Sequence, residues 1–157
     1  MSDSLIQEIS FKQEVVDFIS KDIAKYLEVE TGGVLFGNVV NNRIVVKKAI
    51  DGGKKAIRER FLFKADKDYV DMNIDMIRAN TDYFYLGEWH THPQTNPEPS
   101  IIDLNSISEI AASLPKFALL TIIGFLDFRP PKFIDQSISL LKYNFEDYFY
   151  YLPTRIE

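Results

Sequence analysis

A chain of 157 residues with 46% hydrophobic content is long enough for one domain with a sizeable core, and its formal net charge of −5 argues against binding to nucleic acid or an anionic membrane. The absence of cysteine excludes disulfides and thiol nucleophiles and is compatible with the cytosol. Met1-Ser2-Asp3-Ser4 lacks the basic start and apolar run of a signal peptide, and no apolar stretch approaches a membrane span, so a cytoplasmic location is expected.

In chain order, Ser4 to Ile9 is expected as a short first strand, with Leu5 and Ile6 opening its apolar content. From Lys12 to Leu27, Val15, Val16, Ile19, Ile23 and Leu27 recur at helical spacing with charged residues between them, which predicts a core-packing helix. Val34-Leu35-Phe36 then begins a buried strand, and the glycines Gly32 and Gly33 before it permit a tight bend or close backbone packing. Asn41-Asn42-Arg43 reads as a turn into the strand Ile44-Val45-Val46, so that the two strands make a hairpin with Glu30 at its entrance.

The segment Asp51 to Phe63 is a loop by composition. Its Lys54, Lys55, Arg58 and Arg60 read either as a solvated basic face or as a clamp for an acidic partner surface. Asp66 to Asn80 reads as a second helix with Val70, Ile74 and Ile77 inward and Met72 and Met76 filling out that face. A third helix is expected over Ser100 to Leu114, ended by Pro115, and Phe117 to Leu126 as a buried central strand in which Gly124 allows close approach. Arg129-Pro130-Pro131-Lys132 marks a turn, and Phe133 to Phe145 returns as one or two strands. The tail from Asp147 to Leu152, rich in tyrosine, either packs on the domain or docks on a partner. No repeat or linker divides the chain. One domain is expected over residues 1–157, with a core over about 5–145 and a tail over 146–157.

The chemistry concentrates in Gly87-Glu88-Trp89-His90-Thr91-His92-Pro93. The only two histidines of the chain stand two apart, after the apolar and aromatic run Tyr83-Phe84-Tyr85-Leu86 that favours a strand. On a strand, positions i and i+2 face the same side, so His90 and His92 can aim at one point, and Pro93 ends the pairing. Pro97 and Pro99 carry the chain round a turn to Ser100, a helix N-cap by type, and Asp103 falls on the first turn of that helix. Two imidazoles and one carboxylate on such a frame suit Zn²⁺ with a fourth position open to water.

These residues resemble the JAMM/MPN+ metalloprotease signature, which runs Glu, then His-x-His, seven residues, Ser, two residues, Asp. Glu30, His90, His92, Ser100 and Asp103 meet it with no insertion or deletion. The order of elements is similar to the JAB1/MPN fold over roughly residues 5 to 145. The implied class is α/β (α+β), with a cytidine-deaminase-like mixed central sheet flanked by helices. Glu-Trp-His-Thr-His-Pro and Pro-Ser-x-x-Asp look like the small bacterial branch that includes the deconjugating peptidases of CBASS anti-phage operons, where the conjugate is a cyclic-nucleotide synthase. Eukaryotic members usually carry Trp where this chain has Glu88. Glu88 shares the strand face of the ligands and reads as a groove residue, as an orienter of a ligand, or as an exposed edge residue.

What the resemblance implies is an isopeptidase. His90, His92 and Asp103 would bind Zn²⁺, Glu30 would be the general base, and Ser100 would steady the oxyanion besides capping its helix. The expected substrate is the extended C-terminal tail of a ubiquitin-like modifier or conjugated protein, lying beside a strand edge, with E1–E2-type enzymes encoded nearby and neither nucleic acid nor membrane as partner. The alternatives are a peptidase that trims the tail of a sulfur-carrier protein and an inactive MPN scaffold.

Overall fold

The computed structural model describes residues 5–126 and 136–157. Ser4, the Arg129–Lys132 turn and the start of the strand expected from Phe133 lie outside them.

The first strand, β1, is Glu8–Phe11 rather than Ser4 to Ile9. Ile9 and Phe11 are the side chains that reach the core, at 0% exposure, whereas Leu5 is 50% exposed and too far forward to pack. Helix α1 covers Gln13–Lys25 and buries Val15, Val16, Ile19 and Ile23, the stripe set by their spacing. Strands β2 (Gly32–Val40) and β3 (Arg43–Asp51) form the expected hairpin, turned by Asn41 and Asn42 at φ 50° and 63°, a left-handed pair that asparagine tolerates well.

The expected basic loop contains a second hairpin, β4 (Ile57–Glu59) and β5 (Leu62–Lys64). Helix α2 (Lys67–Asn80) follows, its Asp66 N-cap accepting from the Tyr69 amide at 3.3 Å. Val70, Ile74 and Ile77 pack on Val34, Phe36 and Ile50 of the sheet. Met72 and Met76 do not join that face. Both are more than half exposed, because the neighbouring stripe already fills the contact.

Strand β6 (Phe84–Pro93), helix α3 (Ile101–Ala112) and strand β7 (Phe117–Phe125) complete the middle of the chain, and β8 (Ser137–Tyr143), β9 (Phe149–Leu152) and β10 (Thr154–Ile156) end it. Eight strands make one mixed sheet in the order β10-β1-β3-β2-β6-β7-β8-β9. The tail therefore packs on the domain. Its first half pairs with β8 and its second half with β1, with only Pro153 between, so one stretch of chain brings the two sides of the sheet together.

One face of this curled sheet wraps α1. Trp89, Phe11, Leu35, Leu119 and Phe125 pack there with the helix stripe, each such buried side chain contributing roughly 1.5–3 kcal/mol. Trp89 keeps its indole N–H satisfied by donating to the Ile50 carbonyl at 3.1 Å. Helices α2 and α3 cover the opposite face, α3 through Ile107 and Ala111 on Ala118, Leu120 and Ile122. His90 and His92 point to that second face because they alternate with Trp89. Among the described residues, no helix is long and apolar enough to cross a membrane.

Candidate metal centre

Four sequence segments converge on the site, and the register of β2 against β6 supplies the first link. Gly32 pairs with His90 and Gly33 with Trp89, so the chain just before β2 runs past Thr91 towards His92. The Thr91 amide donates to the Thr31 carbonyl at 2.9 Å, and the Thr31 amide donates to Thr91 Oγ1 at 3.0 Å. These bonds hold Glu30, adjacent to Thr31, beside the histidine strand although sixty positions separate them in the chain. The two glycines serve close packing rather than a bend. A Cβ on Gly33 would lie 1.8 Å from the Ile50 carbonyl oxygen.

Helix α3 supplies the carboxylate. Ser100 caps it, its Oγ accepting from the Asp103 amide at 3.1 Å while the Ser100 amide donates to Asp103 Oδ2 at 2.8 Å. This reciprocal cap fixes the Asp103 rotamer as well as the helix end. Asp103 Oδ1 then lies 3.0 Å from His90 Nε2, and Oδ2 lies 3.1 Å from His92 Nε2. The loop from Thr95 to Pro97 lies against Gly124, where a Cβ would come within 2.6 Å of its backbone, and it presents the Asn96 carbonyl to His92 Nδ1 at 3.3 Å.

The donor set fits a metal ion. One donor atom from each of His90, His92 and Asp103 lies within 4.8 Å of the others, and the three side chains are almost wholly buried. His90 Nε2 is buried with no directed hydrogen bond, although the Asp103 oxygen is close. Such an atom is costly unless something else binds it. Two imidazoles and a carboxylate are a borderline-soft set of the kind that takes Zn²⁺.

Without a cation, protons must hold these groups together. Burial alone would depress His92, but the hydrogen bond and charge of Asp103 outweigh it and its pKa is raised above the ordinary imidazole value. Burial alone would raise Asp103, yet the two histidines against its carboxylate and the Ser100 amide hold it well below the usual carboxylate range. Glu30 is raised, chiefly by burial, with the histidines opposing and Asp103 reinforcing the shift.

Glu30, Glu88, His90, His92, Ser100 and Asp103 all line one cleft of about 390 Å³. Glu88 is half-buried on a strand flanked by β2 and β7, so the edge reading fails. Burial raises its carboxyl, with His90 opposing. The outer wall is the β4–β5 hairpin through Arg60, Phe61, Leu62 and Phe63. Arg58 is not part of a solvated basic face. Its Nε donates to Thr31 Oγ1 at 3.0 Å, and its guanidinium lies 4.4 Å over the Tyr26 ring. Thr31 in turn donates to the buried Asp22 at 2.7 Å. Sequence reading missed this set. Its one signal was Asp22, a carboxylate three positions after Ile19 on the apolar stripe of α1.

Residues 12–132 match the family described as prokaryotic homologues of the JAB domain. The chain is 36% identical over 106 residues to a protein from Sinorhizobium fredii named "Probable metalloprotease y4qB", covering 64% of each, so the match spans slightly under two-thirds of that relative's length. It is 32% identical over 120 residues to a "CD-NTase/cGAS isopeptidase" of Escherichia coli, covering 74% of this chain and 76% of that one. A Vibrio cholerae protein of the same name is 35% identical over 121 residues with the same coverage. The solution structure of protein DSY2949 from Desulfitobacterium hafniense superposes with a TM-score of 0.71 over 95% of this chain and 92% of that one. At 17% identity this is a likeness of fold alone.

Proposed function

The chain belongs to the family of prokaryotic homologues of the JAB domain, and from that premise we propose that it is a zinc-dependent isopeptidase. It would hydrolyse the bond between the C-terminus of a conjugated protein and the amine that protein is joined to. The observation that carries this reading is the convergence of His90, His92 and Asp103 in a cleft that also holds Glu30 and Ser100.

His90, His92 and Asp103 would hold Zn²⁺, which when bound polarises a carbonyl and brings the pKa of water towards neutrality. Glu30 takes the proton from the attacking water and delivers it to the leaving amine, and its burial makes it a stronger base than an ordinary carboxylate. Ser100 serves twice. Its oxygen accepts the helix-capping bond, and its hydroxyl hydrogen is left to donate to the oxyanion that forms on the scissile carbonyl. Glu88 also lines the cleft.

The names of the relatives support a conjugated CD-NTase as the substrate class. On that reading the enzyme acts in the cytoplasm, in an anti-phage system of the CBASS type, and reverses a ubiquitin-like conjugation made by E1–E2-type enzymes of the same operon. The test fuses the C-terminal segment of a candidate CD-NTase partner to a reporter protein. Cleavage should fall directly after the native terminal residue and vanish on chelation. Cutting at scattered internal sites would indicate a general peptidase and remove the deconjugation reading.

A further inference from the structure

The Asp22–Thr31–Arg58 set lies outside the metal ligands yet ends on the residue next to Glu30. Asp22 is buried on α1 at 5% exposure, and burial raises its carboxyl against the opposing effects of Thr31 and Arg58. A buried carboxylate is costly unless hydrogen-bonded and compensated in charge. Thr31 Oγ1 provides the first by donating at 2.7 Å, and Arg58 provides the second while donating to the same oxygen at 3.0 Å. The Thr31 amide and carbonyl are both engaged by Thr91, the residue between the two histidines. The side chain of Thr31 is thus held from the α1 side and its backbone from β6.

Glu30 is gripped from the other side as well. Its amide donates to the Glu59 carbonyl at 2.8 Å, and Glu59 follows Arg58 on β4. Arg58 Nη1 reaches the Gly53 carbonyl at 3.3 Å, and its guanidinium stacks on Tyr26, so three contacts fix the arginine itself. The same hairpin carries the outer wall of the cleft.

We propose that Arg58, acting with Asp22 through Thr31, is a positioning residue for Glu30. Arg58 touches no reacting atom. It sets where the carboxylate stands over the cleft, and it ties that placement to the hairpin wall that the substrate meets. A shift of about 1 Å in a reacting group costs on the order of 100-fold in rate, so loosening this clasp should be felt in turnover before it is felt in binding. The inference rests on the reading of Glu30 as the base.

The experiment measures steady-state cleavage of the reporter fusion, bound zinc and thermal midpoint for Glu30→Gln, Arg58→Ala, Thr31→Val and Thr31→Ser. Glu30→Gln is the control for the base and should be inactive. Arg58→Ala and Thr31→Val should lower kcat by about 10- to 100-fold, with KM within about twofold and zinc unchanged. Thr31→Ser keeps the hydroxyl and should recover kcat to within about threefold, which keeps the test decisive if Thr31→Val folds poorly. Amide exchange at Glu30 and Thr31 should be faster in Arg58→Ala. If Glu30→Gln stays active, the base reading falls and takes this inference with it. If Glu30→Gln is dead but Arg58→Ala keeps the parental kcat, or raises KM alone, only the positioning role is overturned.

Discussion

His92 Nδ1 lies 3.3 Å from the Asn96 carbonyl while its Nε2 lies 3.1 Å from Asp103 Oδ2. A carbonyl can only accept, so Nδ1 carries the hydrogen, and a neutral His92 turns its lone pair towards a carboxylate. Two acceptors face each other, and only a proton or a cation can stand between them. One zinc per chain is therefore expected by elemental analysis, with occupancy lost in His90→Ala and Asp103→Ala. Full occupancy in either variant would rule out this ligand set.

The same arrangement makes metal binding and stability depend on pH. Zinc must displace the proton that His92 retains, so calorimetry in buffers of different ionisation heat should register proton release, and affinity should fall as pH drops below the raised His92 pKa. In chelated protein, the stability contributed by His92 is fully present below the ordinary imidazole pKa and lost as pH rises through the raised value. That contributed by Asp103, whose pKa is lowered, is present above the ordinary carboxylate pKa and lost as pH falls towards its folded value. Melting of the chelated protein should accordingly be highest between the ordinary carboxylate and imidazole values and decline as pH rises through the raised His92 value, while the zinc-loaded protein should not show that decline.

Glu30 is not a ligand in this scheme. Glu30→Ala and Glu30→Gln should keep zinc content and melting close to those of the parent, while activity falls by about 10² or more. Turnover near the parental level in Glu30→Ala would refute the mechanism.

Ser100 permits its observed cap and its proposed oxyanion role to be separated. Ser100→Ala removes both the cap and the hydroxyl, and should cost about 1 kcal/mol of stability together with on the order of 10²-fold in kcat. Aspartate also caps helices but, ionised, has no hydrogen to donate, so Ser100→Asp should regain most of the stability and little of the activity. Equal recovery of both would reduce Ser100 to a helix cap.

The resemblance to the JAB family and the strand-loop-helix that carries the proposed metal ligands were readable because they are local. His90 and His92 depend only on strand alternation, and Ser100 and Asp103 only on the first turn of a helix. The partnership of Glu30 with them came through the family signature, since the pairing of β2 with β6 leaves no local trace. What went unread has physical reasons. The apolar residues of the β4–β5 hairpin are Ile57 and the unbroken run Phe61-Leu62-Phe63, which shows no alternation beneath the basic residues. Arg58 looked like its neighbours Lys54 and Lys55, because composition cannot tell a charge facing water from one facing a buried carboxylate. Met72 and Met76 sit one step outside the stripe that reaches the sheet, and the displacement of the first strand from Leu5 to Ile9 is a question of which residues the tail and β3 pair with.

The tail that joins β8 to β1 through Pro153 also decides what the protein offers to copies of itself. An uncovered strand is a template on which further chains can add, and among the described residues β1 is shielded on one side by Thr154–Ile156 and by the bond from Ser10 to Glu157 at 2.6 Å. A chain cut after Pro153 would leave Ile9 and Phe11 on an open border. Light scattering should then find larger assemblies than the uncut chain forms.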